Sequence, residues 1–215
     1  MSVLQSPPSK GSWKQLCKAR VVSWWEEKLR SDVVNLPSLR FFKPSFMSLT
    51  TIHPLWRLAE SPFEVLKSST VAYMLSGQYC SDYHARHWSK TNPSGYCQLC
   101  LMGGHPQALG TLEHMLLQCP SLADVRQKME LLWSEYSKDK PILKPIIDEY
   151  TLDSTFQGQQ LRMQFLLDSS SCATVISFAQ SHGIGILSDL LYLTRTWCHS
   201  HHSRRQKMLK LYNII

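Results

Sequence analysis

Apolar positions recur at helical spacing along most of the chain, and no stretch shows the sustained alternation of a half-buried strand. Leu16, Ala19, Val22, Trp25 and Leu29 follow Ser12-Trp13-Lys14-Gln15, a capping-box pattern, and predict a helix over about 12–31. Val65, Leu66, Val71, Met74 and Leu75 predict a second helix, with Pro62 in its first turn and Gly77 as its stop. Leu122, Val125, Met129, Leu132, Trp133 and Tyr136 give one apolar face to a helix beginning near Pro120, and Pro141 and Pro145 end it. Residues 146–167 read as two short helices, and 171–181 and 186–212 as the last two. Trp24 and Trp25 are adjacent, so at least one is expected to face inward.

Breaks and polar stretches divide this pattern. The expected organisation is an N-terminal helix (1–36), a Pro-rich irregular connector (37–62), and a helix with an aromatic-basic segment (63–95). A cysteine-rich knuckle (96–120) and a C-terminal helical region with a basic end (121–215) follow. The fold class is mainly α, a helical domain with one small zinc-stapled loop.

Composition changes the picture in two places. No apolar run approaches the roughly 20 residues that span a bilayer, and no signal pattern opens the chain. A soluble, intracellular protein without a membrane role is expected, in nucleus or cytoplasm. In a reducing compartment the seven cysteines are thiols or metal ligands rather than a disulfide framework. Cys17, Cys80 and Cys172 are expected to be buried thiols.

The net charge of +7 is unevenly spread. Residues 1–40 carry seven Lys/Arg against three acids, and residues 183–215 five against one, whereas 101–150 are mildly acidic. Basic ends attract nucleic acid through phosphate contacts and counterion release; the same charge also suits a generally basic protein.

The chemistry lies in Cys97-x2-Cys100-x13-His114-x4-Cys119. Two cysteines two residues apart turn both sulfurs toward one centre, and a His and a Cys further on complete a tetrahedron. Three thiolates and one imidazole leave no open coordination position, which is the donor set of structural zinc. Thr111 is placed to cap a helix carrying Glu113 and His114 in its first turn. Cys119, five residues past His114, shares a metal with it only if that helix tightens or ends near Gln118. His105 is a rival third ligand, separated from Cys100 by four residues as in a compact zinc knuckle, although Gly110 then stands where the fourth ligand belongs.

Two further groups suit nucleic acid. Arg86, His87, Trp88 and Lys90 combine cations with an aromatic that can stack on a base. Arg204, Arg205 and Lys207 follow His199, His201 and His202 and offer phosphate contacts; a solvated helix face is the alternative. The histidines with Cys198 are also candidates for a second metal site. Ser170, Ser171 and Cys172 have no His or acid pattern for nucleophilic catalysis.

Tyr96-Cys97-x2-Cys100, the run GTLEHMLLQCP over 110–120 and Arg126 resemble the cysteine-rich zinc segment after the reverse transcriptase of non-LTR (LINE-like) retrotransposons. Residues 7–30 (PPSKGSWKQLCKARVVSWWEEKLR), 73–77 (YMLSG), 161–168 (LRMQFLLD) and 192–198 (YLTRTWC) look like parts of the same tail, so the resemblance covers nearly the whole chain. It implies a zinc-binding tail that supports template or target binding, with RNA or DNA as partner and no small-molecule substrate. The family's polymerase motif Tyr-x-Asp-Asp is absent, and no Asp/Glu-x-Lys follows Asp148, Glu149 and Asp153 as its nuclease requires. The expected function is therefore non-catalytic. A zinc-stabilised protein-interaction module without nucleic acid is the alternative.

Overall fold

A computed structural model describes residues 9–43, 52–87, 90, 92–151, 155–212 and 214. Ten α-helices carry the described chain: α1 (Lys10–Asn35), α2 (Pro54–Arg57), α3 (Pro62–Leu75), α4 (Asp82–Ala85), α5 (Gln98–Met102), α6 (Ala123–Asp139), α7 (Lys144–Thr151), α8 (Phe156–Asp168), α9 (Ala173–His182) and α10 (Gly185–Leu211). Among the described residues no strand forms; the one extended pairing is an isolated antiparallel bridge, Tyr96 to Leu109. Among the described residues no helix is long and apolar enough to cross a membrane.

α10 is the axis of the fold and packs against α3, α6, α8 and α9. Leu190, Thr194, Trp197, His201, Arg205 and Leu209 are all buried, at the three- and four-residue steps that keep one helical face inward. Trp197 meets Trp133 of α6 with ring centroids 4.9 Å apart, and Trp133 meets Phe165 of α8 edge-on at 5.9 Å. Phe165 in turn stacks on Tyr150 of α7 at 4.4 Å, so one aromatic cluster joins four helices. The buried Arg195 of α10 donates to the carbonyls of Leu55 and Leu58 and to Ser68, which fastens α2 and α3 to α10.

The expected helices after residue 60 are present with small shifts. Ser61 caps α3 and Gly77, at φ 71°, follows its end. α6 is preceded by a 3-10 turn over Pro120–Leu122 and buries Val125 and Trp133. Residues 146–167 fall into α7 and α8.

The N-terminal helix departs from expectation in what it does. α1 starts at Lys10 on a Ser9 cap and none of its residues is buried. Trp24 and Trp25 are 55% and 51% exposed and touch each other edge-on, so neither faces the core. The reason is visible on the helix surface. Trp13 and Trp24 lie on one side and Val22, Leu29 and Val33 on the opposite one, so the apolar positions do not form one stripe a core could cover. Cys17 and Cys80 are exposed, against the expectation of buried thiols, while Cys172 is buried.

Candidate metal centre

The knuckle begins where the chain doubles back. Cys97 donates its N–H to the Ala108 carbonyl at 2.8 Å, and Gly110 donates to Gly95 at 2.9 Å. Gly95 sits at φ 70°, where a Cβ would crowd the Tyr83 backbone. Cys97 is the first flanking residue of α5, and Leu101 closes the turn onto its carbonyl. Asp82 accepts the N–H of Gln98 and so caps this short helix from α4. Cys97 and Cys100 thereby project from one turn. Gly110 lies against Asp82 so closely that a Cβ there would stand 2.5 Å from the Asp82 Cβ.

The second half of the centre follows the expected cap: Thr111 Oγ1 accepts the N–H of His114. Of the two expected routes, the helix does end at Gln118, but its last turn widens rather than tightens. Residues His114–Gln118 form a π turn, and Cys119 donates to the His114 carbonyl, five residues back, at 2.6 Å. The wider turn brings residue i+5 under residue i, so Cys119 and His114 reach the same point, as π turns at functional sites commonly arrange. Arg126 on α6 donates to the Cys119 carbonyl at 2.6 Å, and Ser121 donates to the Leu99 carbonyl at 2.9 Å. These two bonds hold the two halves of the knuckle against each other and against α6.

The four side chains converge. The donor atoms of Cys97, Cys100, His114 and Cys119 all lie within 4.8 Å of one another, and all four residues are buried. Cys97 Sγ is 3.9 Å and Cys100 Sγ 3.6 Å from Cys119 Sγ, and Cys100 Sγ is 3.2 Å from His114 Nε2. Ligands about 2.3 Å from a tetrahedral ion stand about 3.8 Å apart, so the sulfurs are already near their metal-bound spacing. They are far outside disulfide distance. The cluster fits one metal ion with four protein ligands and no open position. His105 lies outside it.

The electrostatics favour deprotonation at one sulfur. The hydrogen bond from Cys119, and after it that from His114, draws the Cys97 thiol down to about 4. Cys119 is pushed up by its bond to Cys97, and Cys100 by burial. A metal replaces the shared protons and relieves this competition among thiols.

A buried ion pair adjoins the centre. Arg205 of α10 donates to Asp82 Oδ1 at 2.8 Å, while Asp82 Oδ2 holds α5. Burial raises the pKa of Asp82 and Arg205 pulls it back down. Tyr79, whose hydroxyl burial pushes up to about 12, donates to the Met115 sulfur and shares a bond with His202. The knuckle is thus bolted to α10 on one side and α6 on the other. On the outer side Glu113 pairs with Arg40.

The other sequence candidates are scattered. Arg205 is 7% exposed and engaged with Asp82, which corrects its reading as a phosphate contact: its guanidinium is spent inside the fold. Arg204 pairs with Asp124 at 3.1 Å, and Lys207 is exposed. Arg86 lies 3.8 Å over the Tyr83 ring, His87 and Lys90 are exposed, and Trp88 lies outside the described residues. The histidines of α10 do not gather round a second metal. His199 bonds Thr70, His202 bonds Tyr79, and His201 is buried against Trp197 with its Nδ1 at the Trp197 carbonyl.

Asp82 and Arg126 are the supporting residues that spacing alone did not assign. Nothing in the local sequence distinguishes Asp82 from a surface acid; only its position opposite Gln98 and Arg205 does. No protein-family model, curated protein or solved structure matches this chain.

Proposed function

We propose that the centre is a structural zinc site and that the chain is a non-catalytic nucleic-acid-binding module of the kind its resemblance to retrotransposon tails implies. One observation carries the metal assignment: four buried ligands, three of them sulfur, at tetrahedral spacing with no vacant side. Thiolate-rich closed sites suit zinc, and a site without an open position activates neither water nor substrate. Three thiolates and one zinc ion carry a net charge of about −1, so the centre organises the fold and phosphate contacts come from elsewhere. Exposed cations supply them: Lys10, Lys14, Lys18 and Arg20 on α1, Lys90, and Lys207 and Lys210 at the end of α10.

The test is a salt titration of single-stranded RNA and DNA binding by the zinc-loaded chain. Each phosphate neutralised in a single strand adds about −0.7 to the slope of log affinity against log salt. The reading predicts a steep slope between about 50 and 200 mM salt. Failure to bind either strand at low salt contradicts it.

A second reading has its own support. Trp13, Leu16, Val21, Trp24 and Trp25 stand exposed on α1, more apolar surface than one solvated helix ordinarily shows. That favours a zinc-stabilised protein-interaction module, whose binding to a protein partner changes little with salt.

A further inference from the structure

α3 and α10 lie side by side, and their outer faces form a groove that is floored by Tyr79 of the core and lies outside the metal centre. On α3, Phe63, Leu66 and Tyr73 are 58%, 53% and 60% exposed. They stand at helical spacing with Thr70 between them, so they share one face. On α10, His202, Gln206 and Lys210 follow at four-residue steps and share the facing side. Between them is a depression of about 360 Å³ lined by Leu66, Tyr73, Gln78, Tyr79, His202 and Gln206 among others. Its walls are aromatic faces, amides and an imidazole. No carboxylate lines it.

The surrounding charge has one sign. After Asp189 the chain contains no acid, but it contains Arg195, Arg204, Arg205, Lys207 and Lys210. Of these, Lys207 and Lys210 are exposed where α10 leaves the groove. On α3 the one carboxylate is Glu64, which faces Arg195 and bonds the Glu60 N–H. An apolar helix from a protein partner needs neither the amides nor the cations. A nucleobase uses both: a ring face to stack on, donors and acceptors for its edge, and a cation for the adjoining phosphate.

We propose that this groove takes a base of single-stranded nucleic acid, with Tyr73 as the stacking platform, Gln78, His202 and Gln206 at the base edge, and Lys207 and Lys210 at the flanking phosphates. The inference rests on the nucleic-acid reading above and names its site. The histidines are held ready for it. Tyr79 engages His202 Nδ1 at 3.1 Å and Thr70 engages His199 Nδ1 at 3.1 Å, which fixes both rings. His202 therefore lines the groove with little rotational freedom left to lose.

The test uses the zinc-loaded full chain with fluorescent oligouridylate and oligothymidylate, and with an abasic oligomer of the same length and charge. Wild type, Tyr73→Ala, Lys210→Ala and, as a control away from the groove, Lys128→Ala are compared over a salt series, with zinc content and helicity checked for each. The groove predicts that Tyr73→Ala weakens binding to base-bearing strands roughly tenfold with an unchanged salt slope. It predicts that Lys210→Ala lowers the slope by about 0.7, that Lys128→Ala changes neither, and that the abasic strand binds wild type and Tyr73→Ala alike. If wild type and Tyr73→Ala bind base-bearing strands equally, the groove is not the site, while nucleic-acid binding stands. If wild type binds no strand, both readings fall. Self-association of the wild type that Tyr73→Ala abolishes overturns the proposal in favour of a groove that seats a second copy of the chain.

Discussion

His114 and His105 show how little separates a ligand from a bystander in sequence, and how much in space. Both follow Cys100 at spacings that zinc sites use, and only the π turn decides between them by bringing Cys119 under His114. The ligands themselves were legible because type and spacing constrain a tetrahedral site. The end of the helix at Gln118 was legible too, but the widening of its last turn was not, since one extra residue per turn leaves no mark in periodicity. His114→Ala is expected to release the metal and His105→Ala to retain it, read by elemental analysis; the reverse outcome makes His105 the ligand. His201 supplies a pH prediction. Burial holds it down to about 4, so it is neutral in the fold. Below its unfolded value of about 6.5 the unfolded chain takes up a proton that the fold refuses. Stability is therefore unaffected above about 6.5 and falls as pH drops toward 4, by about 2 kcal/mol at pH 5. Denaturant titrations at pH 7 and pH 5 should show a smaller acid loss in His201→Gln than in wild type. Equal losses in the two contradict the assignment.

At the scale of elements, α10 was legible as a helix but its role was not. Arg204, Arg205 and Lys207 read alike as a basic run, yet Arg205 turns inward to Asp82, Arg204 pairs across to α6 and Lys207 alone is free in solvent. Sequence supplies the periodicity of a helix; the partner on the next element decides which cation is structural. The Asp82–Arg205 pair ties α10 to α4 and to the start of α5 beside Cys97. Removing one partner leaves a buried charge alone, which costs about 3–5 kcal/mol. Arg205→Ala and Asp82→Ala should each destabilise by that order in chemical denaturation, and the double variant by less than their sum. Additive losses would mean that the two side chains act independently.

At the scale of the whole molecule, one core runs from α2 to the end of α10 and includes the knuckle, while α1 stands apart from it. The mainly helical class and the helices after residue 60 were legible, because their apolar faces meet a partner. The exposure of α1 was not, because its apolar positions satisfy helical spacing without forming a face that packs. Trp24→Ala should change stability by no more than about 0.5 kcal/mol, whereas Trp197→Ala should cost about 3–5 kcal/mol. Thermal unfolding of the two variants distinguishes them, and a large loss for Trp24→Ala would place α1 within the cooperative unit.

The knuckle shares that core through Leu99, Leu116 and Leu122, so metal and fold are expected to be one equilibrium. The most direct measurement is the zinc content of the purified chain, set beside Cys97→Ser and Cys119→Ser purified in the same way. The account predicts one zinc per wild-type chain and none in either variant, with loss of cooperative unfolding where the metal is lost. A wild-type chain that folds cooperatively without zinc, or a variant that keeps a full equivalent, contradicts it.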